Sequence, residues 1–356
     1  MNKSLEKLRH NQKTIGVFGI KKSFGSWDST SIQSGLFGSE EAVVYMSHEL
    51  VKLGYKVIVF GDPPLNSPCS QPNENPLYLT ESNYNDYSLD IAIFCGHQRL
   101  PDYLRKVAPK RYLWPHDTHT VWLPAEYIND FDDVLWISNY LREQWISINP
   151  LFAKFTKIFG NGINPDQFMP IHERINPYSC IYGSNYGRGL DLLLDIWPSI
   201  KEQFTRATLD IYYGWQSWGI LSPEKVIKMQ KQVKALKSLD VHEHGVVGHE
   251  SLHRAYENAS FWTYPCTGIE TFCISALKAQ FAGAVPVIIE GSALKETVRY
   301  GYKCISDEDY CSTLQLAMQD AETITLKDRK TMGQFILHKY TWNQIAKKWK
   351  NLFDTT

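Results

Sequence analysis

The chain has no uninterrupted apolar run of membrane-spanning length and no Cys-x-x-Cys pair among its seven cysteines. An odd cysteine count without close regular spacing argues against a disulfide framework and for reduced thiols, hence a cytoplasmic setting. Net charge is nearly absent too, at −1, so no global field recruits nucleic acid or an acidic membrane, although peripheral membrane contact stays open. Residues 1–13 are polar and charged with no apolar signal core, so a soluble protein is expected. There is no short-period repeat, no low-complexity tract and no Gly-x-Gly-x-x-Gly turn, which counts against an NAD-dependent dehydrogenase. Core-forming residues are well supplied, with 43% hydrophobic and 13% aromatic. The 356 residues amount to about twice a typical domain, so two domains are expected.

Apolar runs separated by turn and cap signals give a parallel α/β order. Residues 14–20 form a short strand candidate, followed by a polar loop and Gly35-Leu36-Phe37-Gly38-Ser39. A helix over 40–53 is predicted next, with Ser39 as N-cap, Gly54 as stop, and Val43, Met46, Leu50 and Leu53 as its apolar stripe. Residues 56–60 close a βαβ unit, and 90–95, 111–114 and 134–138 supply further buried strands. The Pro-, Asn- and Ser-rich stretch 63–85 reads as a surface loop. Residues 161–170, with Asn-Gly and two prolines, read as a turn and linker. A second α/β series starts at Tyr178. It has a helix over 188–204 (Leu190, Leu193, Leu194, Trp197 and Phe204 on one side) that Pro198 should kink or split. Strands over 207–213 and 285–289 and an amphipathic segment over 341–353, with Trp342, Ile345, Trp349, Leu352 and Phe353, complete it.

The most informative stretch is 264–280, continuing to Gly283-Ala284-Val285-Pro286-Val287. It reads as a strand, a loop with a single acid, Glu270, at a helix start, a helix closed by glycine, and a buried strand. A helix N-terminus offers unpaired N–H groups and partial positive charge. An acid beside it suits a ligand with both phosphates and hydroxyls, such as a nucleotide-sugar. This segment resembles the donor-site signature of glycosyltransferase family 4, two-domain enzymes of the GT-B fold. Glu270 matches the first acid and Phe272 the apolar position, while the place of the second Glu is held by Lys278. Residues 161–168 resemble the element closing the family's first domain, with Asn164 where Asp is usual.

The resemblance covers most of the chain in the right order. It implies an α/β GT-B fold with two Rossmann-like domains facing a central cleft: 1–172 on the acceptor side and 173–339 binding the donor. The C-terminal helix, about 340–356, is expected to cross back to the first domain. It assigns Arg188, a helix-start base followed by Gly189, to the donor diphosphate, and Glu270 to the sugar hydroxyls. The amides of Thr271, Phe272 and Cys273 are expected to face the phosphate or sugar. The family's additional upstream Arg is missing, with Ser184 and Asn185 in its place. Lys278 is either a second cation or a solvated helix lysine. Gly38 belongs to a Gly-rich turn expected under the donor phosphates, and the resemblance implies that the turn 244–250, with Val246, abuts the nucleobase through backbone groups. His116 matches the first-domain histidine facing the reacting sugar, with Asp117 and Ser138 on the acceptor side. His242, His244, His249 and His253 are expected in surface and cap roles.

No metal is expected. His116 and His119 lack a third ligand pattern, Asp130-Phe131-Asp132 sits at the wrong end of a strand, and Asp307-Glu308-Asp309 reads as acids opening a helix. The resulting expectation is a retaining, metal-independent glycosyltransferase with no bound cofactor. It would transfer from a nucleotide-diphosphate sugar to a glycan, lipid-linked or small-molecule acceptor. Rivals are a GT-B nucleotide-sugar hydrolase or epimerase, and a degenerate non-catalytic sugar-nucleotide or glycan-binding protein.

Overall fold

The structure is a computed structural model that describes residues 12–18, 25–95, 106–118, 125–215 and 220–355. The chain divides into two compact units: Met1–Ile32 with Leu36–Gly162 and Trp342–Thr356, and Gln33–Gly35 with Ile163–Thr341. Each unit is organised on one six-stranded sheet whose described pairings are all parallel.

In the first unit the strands are β1 (Thr14–Phe18), β2 (Lys56–Gly61), β3 (Leu77–Thr80), β4 (Ile91–Cys95), β5 (Lys110–Trp114) and β6 (Asp133–Val134), in the order β3-β2-β1-β4-β5-β6. Gly19 and Ile20, expected in the first strand, lie outside the described residues. The second unit repeats the order with β7 (Ser179–Gly183), β8 (Thr208–Tyr212), β9 (Val241–Gly245), β10 (Phe261–Tyr264), β11 (Val285–Ile289) and β12 (Tyr302–Cys304), arranged β12-β11-β10-β7-β8-β9. Both are doubly wound: the chain moves outward on one side of its first strand, then returns to build the other. Strands β7, β10 and β11 are wholly buried, the pattern of a parallel sheet covered on both faces.

Three local expectations are corrected, and for Pro198 the splitting alternative alone is removed. The loop assigned to 63–85 contains β3, an edge strand paired with β2. Four residues are too short to show against the Pro and Asn around them. Asn75 anchors it by accepting from the Val57 amide and donating to the Tyr55 carbonyl, at 2.9 and 3.1 Å. Helix α1 (Gly38–Lys52) starts earlier than predicted, with Phe37 at the N-cap. Ser39 donates to Glu40 at 2.8 Å instead of capping. The strand expected over 134–138 shrinks to β6, and beyond it Trp136 bridges Ile158. Pro198 lies inside one helix, α2 (Leu190–Gln203), without splitting it. The proline is on the exposed face, while Leu190, Leu193, Leu194, Trp197 and Ile200 hold the opposite face in the core.

The terminal helix returns to the first unit. Helices α3 (His249–Asn258), α4 (Ile274–Ala282) and α5 (Leu326–Lys339) belong to the second unit, and α6 (Trp342–Thr355) packs on the first sheet and α1. Trp349 sits edge-on to Trp114 at 4.7 Å and Phe353 lies against Tyr112 at 4.8 Å. Asn343 donates to Glu49 at 3.0 Å, and Lys110 donates to the Phe353 carbonyl at 2.8 Å. Among the described residues no helix is long and apolar enough to cross a membrane, and all seven cysteines are free thiols.

Candidate active site

Ligands of doubly wound sheets bind beyond the carboxyl ends of the two strands from which the order diverges. In the second unit those strands are β7 and β10. The loop after β7 carries Arg188, and the loop after β10 carries Glu270. Across a separation of 82 residues, Arg188 Nη1 donates to Glu270 Oε1 at 2.7 Å, and also to the Ile269 carbonyl at 2.9 Å. The Glu270 side chain is 10% exposed and that of Arg188 27%, so the pair is largely shielded but open on the arginine side.

The sequence builds each loop from short-range chemistry. Asn185 folds the first into an Asx turn: its Oδ1 accepts from the Gly187 amide at 2.8 Å and its carbonyl from the Arg188 amide at 2.9 Å. Tyr182, on β7, donates to the Asn185 and Arg188 carbonyls at 2.6 and 3.1 Å. Gly189 has φ +90°, and a Cβ there would overlap the Pro265 carbonyl oxygen, so only glycine lets the two loops meet backbone to backbone. In the second loop the Glu270 amide donates to Ser292 Oγ at 3.0 Å, and its carbonyl accepts from the Ala293 amide at 3.1 Å. The Tyr264 hydroxyl donates to Oε1 of Glu270, the oxygen that Arg188 also meets.

The charges are firmly set. Burial alone would lower the Arg188 pKa, but the neighbouring Glu270 carboxylate holds it above the ordinary arginine value, so it stays cationic. Its described hydrogen bonds use Nη1 only, leaving Nη2 and Nε of the fork to other partners. Cys266 and Cys273 flank the pair. Burial first, then the Glu270 charge, pushes both thiols up, so they remain protonated.

The other predicted site residues fall into two groups. Gly189, Thr271, Phe272, Cys273, Val246 and Lys278 are in the second unit. Val246 follows β9 and is 47% exposed. Gly38, His116, Asp117 and Ser138 belong to the first. Gly38 is the first residue of α1. His116 follows β5 with its ring against Trp114 at 4.6 Å. Its Nε2 is shut off from solvent, and burial lowers its pKa to about 3 against the pull of Asp117, leaving a neutral imidazole. The Asp117 carbonyl accepts from Trp145 Nε1 at 2.7 Å. Ser138 is buried and caps the helix Asn139–Ile148, accepting from the Leu141 amide at 2.9 Å. His119 lies outside the described residues. Among those described, no group of three His, Cys, Asp or Glu side chains converges as a metal site would.

No protein-family model matches this chain, and no curated protein matches it. Solved structures do match along nearly its whole length. A glycosyltransferase from Rickettsia africae superposes with a TM-score of 0.71 at 12% identity, covering 97% of this chain and 98% of its own. HepE of Anabaena, in complex with UDP-glucose, gives 0.67 at 13% identity, covering 97% and 100%. Sucrose-phosphate synthase of Thermosynechococcus elongatus gives 0.66 at 14% identity, covering 97% and 99%. The chain has the GT-B fold.

Within that fold several sequence-derived placements change. Glu270 does not open a helix: α4 begins at Ile274, after Cys273 in a left-handed turn at φ +72°. Thr271, Phe272 and Cys273 thus precede the helix, and the Phe272 ring is buried edge-on to Tyr340 at 5.9 Å. Lys278 is 4% exposed, which removes the solvated-lysine reading. His249 and His253 are not surface residues. They are buried at 5.9 Å from each other, with Phe168 stacked on His253 at 4.2 Å, because α3 turns that i, i+4 face inward. Sequence reasoning missed Tyr182 and Tyr264. The signal was present, since both end apolar strands whose carboxyl ends flank the switch point.

Proposed function

We propose that this chain is a glycosyltransferase that moves a sugar from a nucleotide-diphosphate donor to an acceptor hydroxyl on a glycan, lipid or small molecule. Retention of configuration, independence of metal and cofactor, and a cytoplasmic setting are part of the proposal. The observation that carries it is the Arg188–Glu270 pair at the switch point of the second sheet. A guanidinium fork with free donors suits diphosphate oxygens, and a carboxylate beside it suits sugar hydroxyls. The two sit at the position where α/β sheets bind ligands.

The charge logic supports a front-side mechanism. As the glycosidic bond breaks, negative charge grows on the departing diphosphate, which Arg188 stabilises, and positive charge grows on the sugar, which Glu270 stabilises. The donor phosphate takes the acceptor proton, so no protein nucleophile is required. His116, neutral through burial, is assigned to the reacting sugar by the family resemblance, as a hydrogen-bonding group rather than a charge.

HepE has been solved with UDP-glucose, with UDP, and with UDP and glucose, which makes UDP-glucose the first donor to try. The test is product analysis with a panel of nucleotide-sugars, each incubated with and without candidate acceptors. Acceptor-dependent release of the nucleoside diphosphate, with an α-linked donor giving an α-linked product, supports the proposal. Turnover at the same rate without acceptor supports a hydrolase or epimerase. Binding without turnover supports a non-catalytic carrier.

A further inference from the structure

The structure assigns Tyr264 the role of positioning residue for Glu270, part of a neutral relay that begins at Ser184, where the family resemblance places an additional Arg. This rests on the transferase reading of the Arg188–Glu270 pair. Tyr264 is fully buried at the carboxyl end of β10. Its ring stacks on Trp262 at 4.8 Å with 16° between the planes and lies 6.0 Å from Tyr182, so the hydroxyl has little freedom. That hydroxyl donates to Glu270 Oε1 and accepts from Ser184 Oγ at 3.3 Å. Ser184 stands where the family resemblance leads one to expect an additional Arg. The sequence from Ser184 through Tyr264 to Glu270 therefore supplies a hydrogen bond where a charge was expected.

The neighbouring strand provides the matching half. Tyr182 holds the backbone of the Arg188 loop through two carbonyls, while Tyr264 holds the side chain of Glu270. One tyrosine on each of two adjacent strands, β7 and β10, thus fixes one member of the pair. Burial, then the Glu270 charge, pushes the Tyr264 phenol well above its ordinary range, so it stays a donor at working pH. A neutral donor orients the carboxylate without cancelling its charge as a second arginine would. The Glu270 charge then stays available to a sugar that becomes cationic in the transition state.

The test is a cycle of Tyr264→Phe, Glu270→Gln and the double variant, read by donor turnover and by thermal unfolding. Tyr264→Phe keeps the ring and its stacking. Turnover is expected to fall about tenfold to a hundredfold, the range of a hydrogen bond to a charged group, while the donor KM moves less than about threefold. The double variant should be no slower than Glu270→Gln alone, because Tyr264 acts through that carboxylate. A turnover cost of Tyr264→Phe that persists in full on top of Glu270→Gln would overturn the assignment, as would a variant with unchanged turnover. The unfolding cycle decides the pairing without any activity: non-additive shifts in Tm support it and additive shifts overturn it. If wild type turns over no donor while the shifts are non-additive, the transferase reading has failed and the Tyr264–Glu270 coupling stands.

Discussion

The two sheets share one strand order, yet their carboxyl ends carry different chemistry. In the second unit, the strands flanking the switch point lead into loops that bring together a buried carboxylate, a cation, and tyrosines that fix each in place. In the first, the described residues beyond β5 give a neutral histidine, and the sheet's aromatic side chains are covered by α6. Topology alone offers two equivalent crevices. Side-chain chemistry separates one suited to holding charge from one organised around packing and a neutral hydrogen-bonding ring.

The largest expected effect tests the packing half of that contrast. Trp349 is fully buried against Trp114, so Trp349→Ala should destabilise the first unit by about 3–5 kcal/mol, seen as a lowered transition in calorimetry. A shift of a degree or less would mean that α6 is not integral to that unit. The matching test of the charged half is Arg188→Ala. Turnover should fall about a hundredfold, roughly 3 kcal/mol of transition-state stabilisation, in a protein that still melts cooperatively. Near-wild-type turnover would remove Arg188 from the diphosphate.

Gly189→Ala probes the backbone contact beneath the pair. Strain at φ +90° and the overlap with Pro265 should cost about 1–3 kcal/mol and displace Arg188, lowering both Tm and turnover. An unperturbed variant would show that the loops need not touch.

The smallest effect compares the units through pH. Each has a histidine with a lowered pKa: His116, about 3 through desolvation against the pull of Asp117, and the buried His253, about 2 through burial and then Lys278. The unfolded chain therefore takes up protons first, near the ordinary value of 6.5. Stability is full above that value and is lost as pH falls toward the folded values, by about 1.4 kcal/mol per histidine at roughly pH 5.5. His116→Gln should flatten the acid slope of the first unit and His253→Gln that of the second, measured as Tm against pH. An unchanged slope in both variants would contradict their neutral state in the folded protein.

Much of this was legible in the sequence because parallel strands buried on both faces are written as apolar runs, as in Ile91–Cys95 and Val285–Ile289. The amphipathic face of α6 was equally plain. β3 was hidden by its length and by the prolines and asparagines around it. The late start of α4 was hidden because Cys273 adopts a left-handed conformation that its identity does not announce. Arg188 and Glu270 were recognisable one at a time. That they meet each other, and that Tyr182 and Tyr264 hold them, depends on the pairing of β7 beside β10, a tertiary fact no local pattern carries.

The most direct test of the central claim is calorimetric titration of a panel of nucleotide-diphosphate sugars, UDP-glucose first, into wild type and Arg188→Ala. The account predicts that at least one donor binds wild type and that its affinity falls at least about tenfold in the variant, as loss of a charge-assisted contact to the diphosphate requires. Equal affinity in the two proteins, or no binding across the panel, would contradict the assignment of the Arg188–Glu270 pair as the donor site.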